Sequence, residues 1–177
     1  MIFKNDPKNW HDLEEKVARI FSECGCKVDI ENGLKTIRGL VNIDVRVVDS
    51  KLQHPLLYLC ECKYWNKAVP KNVVHAFRTV VQDVGAHVGY VISKKGFQSG
   101  AHEAALNTNI LLLGWHEFQS VLLDRWITAK YETLYPDLNT LYDDFYVPFM
   151  ERIPGTSMIS FVKGKTEISL NFPNCHR

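Results

Sequence analysis

Apolar residues recur at helical spacing over residues 9–24, where Trp10, Leu13, Val17, Ile20 and Phe21 form one stripe between polar positions. Gly25 follows as a natural stop. "CKVDIE" predicts a short strand, with a turn at the Asn-Gly pair of residues 32–33. The next stretch, "TIRGLVNIDVRVVDS", alternates. Ile43, Val45 and Val47 take one side, and Asn42, Asp44 and Arg46 the other. After the turn-like "DSKLQHP" comes "LLYLCECKYW", so the two runs predict an antiparallel hairpin. Residues 70–84 predict a helix with Pro70 in its first turn and an apolar stripe that includes Val74, Phe77 and Val81. Then follow a strand at 87–93, a short alanine-rich helix in "SGAHEAALNTN", and a strand at 110–113 whose unbroken apolar run predicts burial on both faces. Helices alternating with strands in this way predict an α/β fold, a mixed central sheet with helices on both faces.

From about residue 116 the pattern is helical, with a break expected at Pro136. Residues 131–151 hold five acidic side chains and no basic one, interleaved with tyrosine and phenylalanine. They read as a helical appendage packing its aromatic face, or as a partner surface. "TSMISFVKGKTEISLNF" reads as a terminal hairpin. The expected division is therefore a core over residues 1–118 and a helical C-terminal appendage over 119–177.

The chain has 177 residues and a formal net charge of +1, so no global basic or acidic field selects a partner. No apolar run nears the ~18 residues that span a membrane. The start, "MIFKNDPKNWHDLEEK", has no apolar core of a secretory signal, which makes a cytoplasmic location the expectation. Five cysteines then read as reduced thiols. The spacing in "CGC" and "CEC" is too short for most zinc sites and fits buried packing.

The chemistry concentrates in "ECK". Glu61 and Lys63 are two apart on a strand, so both project from one face. Asp44 points away from Ile43 and Val45, and pairing of the two strands brings it beside Glu61. Two neighbouring carboxylates repel unless one is protonated or a cation lies between them. Magnesium meets that need, with Asp44, Glu61 and the Cys62 backbone carbonyl as candidate ligands, and manganese as a substitute. Lys63 is placed to orient an attacking water and to counter charge on a phosphoryl oxygen. These parts describe metal-assisted phosphodiester hydrolysis. Glu14, beside the apolar stripe of the first helix, is a third candidate carboxylate, ahead of the more outward Glu15.

Glu14, "RGLVNID" ending at Asp44, and "ECK" at 61–63 resemble the PD-(D/E)XK nuclease superfamily, in its Mrr-like restriction endonuclease branch. "LEEKVARIF" and "GYVISKKGFQSGAHEAALNTNILLL" extend the resemblance over about residues 10–118. It implies a restriction-endonuclease-like αβββαβ core, magnesium dependence and DNA cleavage, with Asp44 and Glu61 as metal ligands, Lys63 as the catalytic lysine, and Glu14 as the helical acid. The sequence departs from that branch at Ile43, where proline is common, and at Asn42, where glycine is frequent. Gln82 lies in the helix where some relatives carry an active-site glutamine, without the tyrosine that follows it there.

Residues 62–101 hold six basic side chains against the single acidic Asp83. Lys67, Lys71, Lys94 and Lys95 are the candidate phosphate contacts. Tyr64 and Trp65 stand beside them. Cutting both strands of a duplex makes a homodimer an expectation. Lack of a recognition module makes a separate specificity or accessory protein another. Restriction or defence against foreign or modified DNA is the leading role. A junction-resolvase-like repair nuclease and a catalytically silent DNA-binding module of the same fold are the alternatives.

Overall fold

The computed structural model describes residues 1–36, 38–51 and 53–141. The acidic, aromatic stretch beyond residue 141 and the expected terminal hairpin lie outside the described residues. The chain divides into two compact units, Met1–Lys130 and Tyr131–Arg177. Nine elements follow in order among the described residues: α1 (Trp10–Glu23), β1 (Lys27–Thr36), β2 (Gly39–Asp49), β3 (Leu56–Lys63), α2 (Lys71–Val84), β4 (Val88–Ser93), α3 (Ser99–Ala105), β5 (Ile110–Gly114) and α4 (Trp115–Leu141). No helix among the described residues is long and apolar enough to cross a membrane.

The five strands lie side by side in chain order. β1–β2 and β2–β3 are antiparallel, whereas β3–β4 and β4–β5 are parallel. This is the mixed α/β sheet that the alternation predicts. One core forms where Leu13, Val17, Ile20 and Phe21 of α1 meet Phe118 and Leu122 of α4 over Val45, Val47, Cys60 and Tyr90. The other forms where Val74, Phe77 and Val81 of α2 and Ala101 and Ala104 of α3 cover Leu59 and Val91. α2 packs against β4 so closely that a β-carbon on Gly89 would stand 2.8 Å from both Phe77 and Val81. Side-chain bulk is excluded at that crossing.

Several elements depart from the expected pattern. The Asn-Gly pair is not a turn. It continues β1, and the hairpin reverses between Thr36 and Gly39, where φ is +117° and glycine is favoured. The ladder with β2, which pairs Gly33 with Asn42, overrides the local turn preference. β5 is an edge strand rather than one buried on both faces, and Leu111 is 43% exposed. Trp10 is exposed although it falls on the α1 stripe. α4 continues through Pro136 to Leu141 instead of breaking there.

The long β1–β2 hairpin twists. Val45 and Val47 belong to the core under α1, while Ile43, on the same side by alternation, joins Leu34 and Val41 in the core under α2. Strand twist accumulates over such a length and carries the tip across. Arg38 at the tip then pairs with Asp83 of α2 at 2.8 Å.

α4 is tied to the sheet by a polar anchor. Arg125 donates to the buried Asp49 at 2.5 Å and to the Cys26 sulfur at 3.1 Å, and the Tyr58 hydroxyl also bonds Asp49. Cys24, Cys26, Cys60 and Cys62 are free thiols packed in the same core. The Arg125 hydrogen bond outweighs burial and holds the Asp49 pKa below the carboxylate range. Arg125→Ala leaves Asp49 buried without its cation and is expected to cost about 3 kcal/mol in urea denaturation near pH 7. The Asp49 pKa is lower folded than unfolded, so its contribution is present above the unfolded value near ~3.9 and is lost as pH falls through the folded one. The stability gap between wild type and Arg125→Ala should therefore narrow below about pH 4. A gap that is constant from pH 7 to pH 3 would refute this linkage.

Candidate active site

The β2–β3 ladder runs from Asp49↔Leu56 to Val45↔Cys60. Continuing that register would set Asp44 against Glu61 and Ile43 against Cys62. Instead the tip of the hairpin twists toward α2, and the Cys62 amide donates to Asp44 Oδ2 at 2.7 Å. A side-chain carboxylate thus occupies the place of a backbone carbonyl. This fixes Asp44 at the point where the two strands part.

β3 places the other charges by simple alternation. Leu59 faces the core under α2, and Cys60 and Cys62 face the core under α1. Glu61 and Lys63 therefore project on the α2 side. The Lys63 ammonium pairs with the Glu61 carboxylate and stands 3.9 Å from Asp44 Oδ2. All three are mostly shielded from solvent, with side-chain exposures of 26% for Asp44, 20% for Glu61 and 15% for Lys63. Burial, then the Asp44 charge, raises the Glu61 pKa despite Lys63. For Lys63, burial acts to lower the pKa, but the Glu61 and Asp44 charges outweigh it and the net shift is upward. Glu61 and Lys63 line a cavity of about 330 Å³ between the β2 segment Val41–Ile43 and the α2 face of Asn72, Val73 and Ala76.

Glu14 is buried and Glu15 exposed, the sides that the α1 stripe predicts. Glu14 lies near enough to the Cys62 thiol to help raise its pKa, behind burial and the charges of Cys60 and Asp44. It reaches β3 from the α1 side, whereas Glu61 leaves from the α2 side. Among the described residues no three His, Cys, Asp or Glu side chains form a metal-binding cluster. Asp44, Glu61 and the Cys62 carbonyl are oxygen donors, a set that suits a hard divalent ion such as magnesium.

Of the candidate phosphate contacts, Lys67, Lys94 and Lys95 lie on two loops at the C-terminal ends of β3 and β4, and Lys71 starts α2. Val69 bridges Phe97 there, and its amide donates to Gly96. The Lys94 amide donates to the Lys63 carbonyl at 3.1 Å, which binds the second loop to the end of the β3 segment. Lys94 Nζ sits 4.0 Å from the Tyr64 ring centre and 3.2 Å from Asn66 Oδ1. Lys63 and Lys67 both lie over the Trp65 ring. Lys95 is exposed next to Lys94, and Lys71 opens α2 with its stem against Gly100. Gln82 is exposed near the other end of α2 and does not line the cavity with Glu61. Asn42 and Asn72 do line it, and their approach depends on the hairpin twist that alternation alone does not reveal.

The mutual charge effects can be read by carboxyl-carbon NMR titration. Asp44→Asn keeps an oxygen for the Cys62 amide but removes a negative charge, and is expected to lower the Glu61 midpoint. Lys63→Met removes the positive charge and is expected to raise it. A midpoint unchanged in both variants would show that the three groups do not interact.

A family model described as restriction endonuclease, of the Mrr catalytic type, matches residues 6–122. No curated protein matches the chain. Among solved structures, the "Protein of Unknown Function AF1548" is 22% identical with a TM-score of 0.55, and the match covers 66% of each chain. "MspJI Restriction Endonuclease in Complex with 27-mer Oligonucleotide" is 18% identical with a TM-score of 0.38, covering 70% of this chain and 30% of that one. "DNA modification-dependent restriction endonuclease AspBHI" is 11% identical with a TM-score of 0.41, covering 70% of this chain and 40% of that one. The chain thus spans less than half the length of these last two. The first likeness is one of fold. With the family model spanning the whole α/β unit from before α1 into α4, the chain belongs to the Mrr-type restriction endonuclease family.

Proposed function

We propose that this chain is a metal-dependent endonuclease that hydrolyses DNA phosphodiester bonds, with Asp44, Glu61 and Lys63 as its catalytic residues. The observation that carries the reading is the meeting of these three side chains where β2 and β3 part, beside a cavity and next to two lysine-bearing loops. Family membership supports the same reaction class.

Asp44 and Glu61, with the Cys62 carbonyl, would hold magnesium or manganese, with Glu14 of α1 as a further acidic ligand. When bound, the ion supplies Lewis-acid polarisation of the phosphoryl oxygen and a more acidic water. The chain's own groups do the rest. Asp44 is held in place by the Cys62 amide, so its carboxylate needs no reorganisation. Lys63, held charged by two carboxylates, orients the attacking water and counters charge on the phosphoryl oxygen. The water oxygen bonds to phosphorus and gives up a proton to solvent, the bond to the leaving sugar oxygen breaks, and that oxygen takes a proton from solvent. Lys67, Lys71, Lys94 and Lys95 bind flanking phosphates, which makes binding salt-dependent. A homodimer would supply two such sites for a double-strand cut. A separate specificity protein would supply target choice, and defence against foreign DNA is the role that suits the family.

A plasmid-nicking assay tests the assignment. Wild type with magnesium is expected to nick supercoiled DNA, EDTA to abolish nicking, and Asp44→Ala, Glu61→Ala and Lys63→Ala each to slow it by at least about 100-fold. Equal nicking by wild type and all three variants would remove these residues from the reaction. Faster cutting of four-way junctions than of linear duplex would favour a recombination nuclease over restriction.

A further inference from the structure

A second and larger cavity, about 490 Å³, opens at the C-terminal ends of β3, β4 and β5. The nuclease reading makes no use of it. Its lining includes Tyr64, one residue past the catalytic lysine, and draws on both faces of the sheet, with Phe97 packed on the α2-side core and Asp6 and Glu117 also at its wall. Tyr64 packs with the core under α1, whereas Lys63 faces α2. Phe97 and Trp115 supply two more aromatic walls, and His102 and His116 are exposed at its edge. Lys94 belongs to both places. Its side chain lines this cavity and its amide holds the carbonyl of Lys63.

We infer that this cavity receives one unpaired nucleotide of the DNA strand whose backbone passes the catalytic side chains. The volume lies within the range of about 300–1,000 Å³ typical of small-ligand sites, room for a base and its sugar. Aromatic walls with polar groups at the edge are how a base outside the helical stack is held. Lys94 lines the cavity and its amide bonds the Lys63 carbonyl, so a phosphate linking the held nucleotide to its neighbour would pass it. Drawing a base out of an intact duplex costs its stacking and pairing, and the cost is least at a bulge, mismatch or single-stranded end, so the favoured occupant is a nucleotide from one of these. This inference rests on the nuclease reading for its substrate, and its test is independent of cleavage.

The test measures fluorescence anisotropy of the full chain in EDTA, where no bond is cut, with a fully paired duplex and with the same duplex carrying one extra, unpaired 2-aminopurine nucleotide. Wild type is expected to bind the bulged duplex about tenfold more tightly, with a change in 2-aminopurine emission as the base enters the cavity. His102→Trp places a larger ring at the cavity edge and is expected to bring the two affinities together without weakening paired-duplex binding. His116→Ala removes a polar edge group at an exposed position, should leave folding intact, and is expected to reduce the preference severalfold. Equal affinities in wild type, no binding of the bulged duplex, or a preference unchanged in both variants would overturn the inference. Plasmid nicking without the preference would overturn the pocket alone. The preference without nicking would uphold the pocket and sink the cleavage assignment.

Discussion

The hydrogen bond from the Cys62 amide to the Asp44 carboxylate is the constraint on which the rest of the site depends. An antiparallel ladder that simply continued would consume this amide with a backbone carbonyl of β2 and keep the hairpin flat against β3. By taking the amide with a side chain, Asp44 lets β2 leave the sheet without orphaning a buried donor. The departing segment then leans toward α2, and the space it opens holds Glu61 and Lys63. A charge that any strand could carry on its surface becomes, at this one position, the end of a ladder beside a cavity.

The electrostatics follow from that placement. Two carboxylates and one ammonium share a mostly shielded corner, leaving the group one negative charge in excess. Burial penalises that excess, and the rise in the Glu61 pKa is its signature. Lys63 offsets part of the cost and is itself kept charged by its neighbours. A site with this balance favours an added hard cation, because the cation relieves repulsion that the fold has already imposed. The favourable energy for packing lies elsewhere, in the two apolar cores and in the Arg125–Asp49 anchor of α4.

Much of this was legible in the sequence because strand alternation is strict. The spacing of Glu61 and Lys63 places them on one face whatever the tertiary context, and the α1 stripe separates buried Glu14 from exposed Glu15. The antiparallel pairing that sets Asp44 beside them follows from the short connection between the two runs. What could not be read were features decided by long-range pairing. Residues 32–33 look like a turn locally, yet pairing with β2, Asn32 with Ile43 and Gly33 with Asn42, makes them strand. The apolar run at 110–113 looks doubly buried, but strand order leaves it at an edge. Twist moves Ile43 into a different core from Val45, and with it Asn42 into the cavity of Glu61. Alternation predicts sides, and it carries no information about how far a long hairpin has rotated.

The location of the site has a topological reason. β3 is the one strand among the five that is antiparallel to one neighbour and parallel to the other. Antiparallel pairing with β2 lets a residue from the preceding strand reach its C-terminal half. Parallel pairing with β4 brings the C-terminal ends of β3 and β4 together, so both following loops emerge on the same edge of the sheet. The basic residues of those loops, Lys67 and Lys94 among them, are thereby delivered next to a carboxylate pair supplied from the other side. A purely antiparallel sheet would send the second loop to the opposite edge, and a purely parallel one would need a crossover to bring Asp44 near. Ligand sites of open α/β sheets gather at the carboxyl ends of their strands for a related reason. Here the change of direction at β3 puts the carboxylates proposed to hold a cation and the lysines proposed to meet phosphates on one edge, an arrangement that suits hydrolysis of a polyanion.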